Sequence, residues 1–256
     1  MPTTRWSWLP LLAGLAVPTI ALTFGWRWAF AGGAALALLL SFIVPAETLG
    51  GVRKIKEARA GDVPTAPLVL LALGIGLGSA AATPLGAFIV ESSVAAGLRV
   101  ETAGLMLALG SAVGIVVRVT FGRLADGMGG GSLRLVAAML GVGVVGFALL
   151  ANGSSGLIVP GTLLAFGAGW GWPGLFNFAI VRSNPRAPAA ATGITQTGAS
   201  GGAAAGPLAF GYLVEETSFS TAWMCSGAVA LAAAAAILAG RSMLLRGRTT
   251  VPETHE

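Results

Sequence analysis

Charge is what this chain has least of. Asp, Glu, Lys and Arg make up 10% of its 256 residues, where soluble domains carry about 25%. With 55% hydrophobic residues and a mean hydropathy of +0.84, a soluble fold of this size has nowhere to hide its apolar surface. Histidine is almost missing: His255, in the C-terminal tail, is the only one. That argues against His-based catalysis and against metal clusters, which need several converging ligands, so neither an enzyme nor a metal or cofactor is expected. The single cysteine, Cys225, excludes an intrachain disulfide and reads as packing.

What the chain has in quantity is long apolar runs. A helix needs about 20 mainly apolar residues to cross a bilayer core of about 30 Å. Eight charge-poor runs meet this: A, Trp8 to Phe24; B, Trp28 to Pro45; C, Pro64 to Val90; D, Thr102 to Phe121; E, Leu135 to Ala151; F, Leu157 to Val181; G, Pro188 to Val214; and H, Phe219 to Gly240. Barrel strands would be about ten residues long with alternating polarity, whereas these runs are longer and apolar on every side. The expected fold class is therefore all-α, a polytopic transmembrane bundle of about eight spans. Arg5 before Leu9 to Leu22 resembles a signal peptide, but Pro10 and Pro18 interrupt the stretch and no small-residue cleavage site follows, so span A is read as retained. No Asp, Glu, His or Lys occupies the middle of any span, which leaves no proton relay within them.

The basic residues orient the spans. Arg5, Arg53, Lys54, Lys56, Arg59, Arg123, Arg134, Arg182, Arg186, Arg241, Arg246 and Arg248 fall on one face, with Arg118 near it, and only Arg27 and Arg99 on the other. By the positive-inside rule both termini are cytoplasmic, in a multi-pass protein of the cell (inner) membrane. The net charge of +5 fits anchoring to anionic lipid headgroups, with membrane lipids and a small solute as partners and no nucleic acid. Residues 1–46 are read as two transmembrane helices, 47–63 as a cytoplasmic linker, 64–245 as a six-helix bundle and 246–256 as a cytoplasmic tail. Within the bundle, C-D-E and F-G-H can be paired as triplets crossing in opposite senses, the inverted-repeat arrangement of many transporters.

Small residues and prolines mark the helix contacts. Gly74 with Gly78, Gly110 with Gly114, and Gly198 with Gly202 and Gly206 recur at four-residue spacing, which lets backbones approach closely. Pro84, Pro173 and Pro207 each lack an N–H and free the carbonyls of Ala80, Gly169 and Ala203, favouring kinks.

Three local features are similar to the major facilitator superfamily. Gly122-Arg123-Leu124-Ala125-Asp126-Gly127-Met128-Gly129, between D and E, resembles that family's cytoplasmic loop motif, with Gly127 at the usual basic position. Gly25-Trp26-Arg27-Trp28-Ala29-Phe30 resembles the turn joining its fifth and sixth helices, and the basic stretch after B resembles its central linker. Gly169-Trp170-Gly171-Trp172-Pro173-Gly174 is similar to bacterial members. The resemblance implies a solute transporter whose spans correspond to helices five to twelve, an N-terminally truncated chain that would work with the missing helices or a partner chain. It also implies a cytoplasmic gate of Gly122, Arg123 and Asp126, to which Arg118 is added as lying one turn before Gly122 on the same face.

Candidate substrate-binding residues are the polar and aromatic groups set inside spans: Thr83 in C, Ser111 in D, Trp170, Trp172 and Asn177 in F, and Gln196 in G. A few hydrogen-bonding groups among aromatics are what a small solute needs; interhelical hydrogen bonding and packing are the competing roles. A membrane interaction or receptor-like protein that does not transport is the other functional reading.

Overall fold

The structure, a computed structural model, describes residues 64–127 and 132–249, with isolated helical positions at 31, 32, 34, 35, 38, 39 and 42. Span A, the rest of span B, the turn at Gly25 to Phe30, the whole 47–63 linker and the last residues of the tail lie outside the described residues. The chain divides between Ala58 and Arg59 into two compact units, and the helices below all belong to the second.

They are α1 (Thr65–Ala95), α2 (Val100–Gly127), α3 (Ser132–Ala151), α4 (Ser155–Leu164), a π-helical turn (Ala165–Gly169), α5 (Pro173–Ser183), α6 (Pro188–Glu216) and α7 (Phe219–Thr249). No strand occurs among the described residues. Five stretches are long and apolar enough to cross a membrane: α1, α2 to Leu124, α3, the run from Ser155 to Ser183, and α7 to Arg246. Large hydrophobic side chains face outward on them, including Val69, Leu105, Val116 and Leu231, as a lipid-facing surface requires. The α6 helix, expected as span G, has the length, about 44 Å at 1.5 Å per residue, but falls short in hydropathy. Glycines, threonines and Gln196 take the place of leucines along it.

Two helix ends show why glycine stands where it does. Gly97 has φ +91°; its N–H donates to the Val94 carbonyl at 2.9 Å and that of Leu98 to Ser93 at 3.1 Å. This pair of bonds closes α1 in a Schellman motif, which needs a left-handed residue after the cap. Gly153, at φ +73°, ends α3 the same way, donating to Leu150 at 3.2 Å.

The packing pairs α1 with α6 and α7, the broken helix α4–α5 with α2 and α3, and α3 with α7. Exchanging the triplets α1-α2-α3 and (α4–α5)-α6-α7 carries four of these pairs onto one another and the fifth, α3 with α7, onto itself. One pair breaks the correspondence: α6 touches α7, whereas α2 and α3, though consecutive, scarcely meet.

The α1–α6 seam is backbone on backbone. A Cβ at Gly198, Gly202 or Gly206 would run into the carbonyls of Ala72, Gly76 and Ala80, and one at Gly76 would come within 2.8 Å of the Gly198 carbonyl. Pro84 and Pro207 sit inside α1 and α6 without ending them, and the Ala80 carbonyl freed by Pro84 is the one against Gly206. The α1–α7 seam is built differently. Ile237 fills the space over Gly74, and Leu71 the space over Gly240. Near the end where α1 finishes and α7 begins, Trp223 is fully buried. It donates its indole N–H to the Ser92 hydroxyl at 2.8 Å and packs on Phe210 and Phe147, with centroids at 4.5 and 6.1 Å.

Candidate functional site: a broken helix facing an arginine

Span F is not one helix. The α-helix from Ser155 widens into the π turn at Ala165 to Gly169, stops at Trp170, whose φ is −123°, and restarts at Pro173. Proline suits the first position of α5, because its missing N–H would be unsatisfied there anyway. The same missing N–H leaves the Gly169 carbonyl without a helical donor. The indole N–H of Trp172 takes that place, donating to Gly169 at 2.8 Å from a fully buried ring. Trp172 is thus a cap for the break, and its ring stands edge-on to Phe176, 6.2 Å between centroids.

Glycines on three neighbouring helices make room for this widened segment. A Cβ at Gly78 of α1 would lie 2.6 Å from the Trp172 ring, and one at Gly110 of α2 2.5 Å from Phe166. On α3, a Cβ at Gly143 would be 2.5 Å from the Gly169 backbone, and one at Gly146 equally close to Ala165. None of these sites accepts a side chain without moving a backbone or a buried ring. Gly74 and Gly78 therefore serve two different neighbours, Ile237 and Trp172, whereas Gly110 and Gly114 both face Phe166.

Arg118 faces the break from α2. One guanidinium nitrogen donates to the Trp170 carbonyl at 3.0 Å, and the guanidinium carbon lies 5.7 Å from the centroid of the Trp170 ring. Trp170 in turn packs on Phe166 at 5.6 Å. A cation at the carboxyl end of a half-helix meets the negative end of its dipole, worth about 0.3–1 kcal/mol when exposed. No described carboxylate is shown within salt-bridge distance of Arg118; Arg99 and Glu101 pair with each other at 3.4 Å. Among the described residues, the Trp170 carbonyl is the hydrogen-bond acceptor shown for the guanidinium, which is exposed.

The residues expected as a cytoplasmic gate lie along the last turns of α2. Gly122 and Arg123 are exposed, and the stretch resembling a loop motif is helical through Gly127, because Arg123, Leu124 and Ala125 are good helix formers. The side chain of Asp126 and residues 128–131 lie outside the described residues. Arg118 is engaged at the break instead.

The expected substrate residues separate. Trp170 and Trp172 share the break, and Asn177 follows on α5, half-buried, its Oδ1 without a partner. Thr83 donates to the Ser79 carbonyl of its own helix at 2.9 Å, and Ser111 is half-buried on α2. Gln196 is exposed on α6, four residues before Ser200, also exposed, while Thr195 is buried and bonds back to Ala191. The π turn and the Arg118–Trp170 bond were not foreseen. Pro173 and four glycines on three different helices signal the break, and the glycines become readable once the helices are assembled. No family model matches the chain, and neither does any curated protein or solved structure.

Proposed function

We propose that the chain is a secondary transporter of a small solute, of the major facilitator kind, in which the bundle α1–α7 forms one wall of an alternating-access pathway. The observation that carries this reading is the helix broken within the bundle opposite an intramembrane arginine. Discontinuous helices at mid-bundle are a recurring way for transporters to present unpaired backbone groups to a solute. Ionisable residues within spans mark solute and ion pathways.

Two further features support it. Apart from the α6–α7 contact, the packing is carried onto itself by exchange of two three-helix units of opposite sense, as in inverted repeats. Gln196 and Ser200 lie exposed on α6, about 12 and 18 Å along it from Pro188. Polar groups at such depth fit a surface that faces water or protein rather than lipid. In this reading the basic face is cytoplasmic, the membrane is the cell's inner membrane, and Arg118 offers its N–H donors to the solute while Gly122, Arg123 and Asp126 act at the cytoplasmic end.

The test is solute flux into liposomes carrying the purified chain, screened with labelled amino acids, sugars and organic acids. Uptake of one class, lost in Arg118→Ala and Asp126→Ala, is the expected result. A folded chain that moves none of them would sink the proposal and favour a non-transporting membrane protein.

A further inference from the structure

Where α2 and α3 fail to meet, a groove of about 360 Å³ opens on the side of the bundle. Its walls are Val113, Val117 and Phe121 of α2, and Leu135, Ala138, Met139 and Val142 of α3. Its floor is the broken helix at Leu163, Leu164, Gly167 and Ala168. Every lining side chain is apolar, so an occupant with a polar group inside the groove would lose that group's hydrogen bonds. The size is within the range of about 300–1,000 Å³ for small-ligand sites. A helix about 10–12 Å across would fill roughly 900–1,400 Å³ over the two turns from Val113 to Phe121. A helix would lie over this groove rather than in it, while a single hydrocarbon chain fits inside.

One end of the groove carries charge. Arg134, Ala138 and Val142 follow each other at four-residue spacing and share a face of α3, so the groove wall continues by one turn into an exposed arginine. Among the described residues, Arg123, Arg182, Arg186, Arg241 and Arg246 stand at the same end of the bundle. Basic side chains beside a membrane surface attract anionic lipid headgroups.

We propose that the groove between α2, α3 and the π turn holds an acyl chain of an anionic phospholipid, whose headgroup pairs with Arg134. The occupant takes up the contact that α6 and α7 make directly in the other triplet, and it rests on Gly167 and Ala168 of the widened turn. The inference needs the bundle to lie in a bilayer; it does not depend on transport.

The full chain is reconstituted in phosphatidylcholine vesicles doped with phosphatidylglycerol carrying a photoactivatable diazirine on one acyl chain, and labelled peptides are mapped. Labelling is expected to concentrate on 113–121 and 135–142 over the outward residues Val69 and Leu231. Ala138→Phe, at an exposed position, should fill the groove and remove this preference with helical content unchanged by circular dichroism. Arg134→Gln should lower labelling by the phosphatidylglycerol probe about five-fold, the worth of one basic side chain at an anionic surface. An equivalent phosphatidylcholine probe should be unaffected. Even labelling of all outward faces, no change in Ala138→Phe, or equal labelling of the wild-type chain by both probes would overturn the proposal.

Discussion

Gly201 and Gly202 are neighbours in α6 with opposite surroundings, and alanine at each gives a controlled test of the α1–α6 seam. Both substitutions gain the same helix propensity, about 0.8–1 kcal/mol. At Gly201 nothing lies within 4 Å of the added Cβ, so that gain stands alone. At Gly202 the Cβ falls against the carbonyl of Gly76, closer than real Cβ atoms come, and α1 and α6 must separate. Overpacking of this kind costs about 1–3 kcal/mol. Since the propensity gain is common to both, Gly202→Ala is expected to be less stable than Gly201→Ala by about 1–3 kcal/mol. Reversible unfolding in mixed micelles with increasing dodecyl sulfate, followed by tryptophan fluorescence, measures the difference. Equal midpoints for the two variants would refute the claim that α1 and α6 meet backbone to backbone.

Other residues give sharper single contacts. Trp172→Phe keeps an aromatic ring but leaves the buried Gly169 carbonyl without its donor, and should destabilise the chain by about 1–3 kcal/mol in the same unfolding assay; no loss would mean that the indole N–H is not the cap of the break. Trp223→Phe and Ser92→Ala should each cost about 1 kcal/mol, and the double variant less than their sum, because both remove one bond; strict additivity would dissociate the two residues. In a Cys225→Ser background, Gln196→Cys should react with a membrane-impermeant maleimide in vesicles faster than Leu231→Cys, and equal rates would remove the case for an aqueous face on α6.

Hydropathy located the lipid-crossing part of each helix and stopped there. Span C was read to Val90 while α1 runs to Ala95, and span H to Gly240 while α7 runs to Thr249. Backbone hydrogen bonding continues through polar residues until a stop such as Gly97 intervenes. Span G was legible as a helix from its length, yet its small and hydroxylated residues keep it below the hydropathy of the other five, since its neighbours include backbone as well as lipid. The break in F was half legible. Pro173 announced a freed carbonyl at Gly169, but the donor that meets it, Trp172, and the arginine that meets the next carbonyl stand 3 and 52 residues from their acceptors. Local periodicity carries no information about a contact 52 residues away.

The two seams of α1 differ in what they demand when the helices move. Across α1 and α7, Ile237 sits over Gly74 and Leu71 over Gly240, so an axial displacement has to lift each side chain out of its socket and through a rotamer change. Across α1 and α6, carbonyls lie against glycines that have no side chain to order, and ring packing enters only further along, where Phe88 meets Phe210 at 4.9 Å between centroids. Between Gly198 and Gly206 a displacement of α1 along α6 therefore needs no rotamer change, whereas one along α7 does.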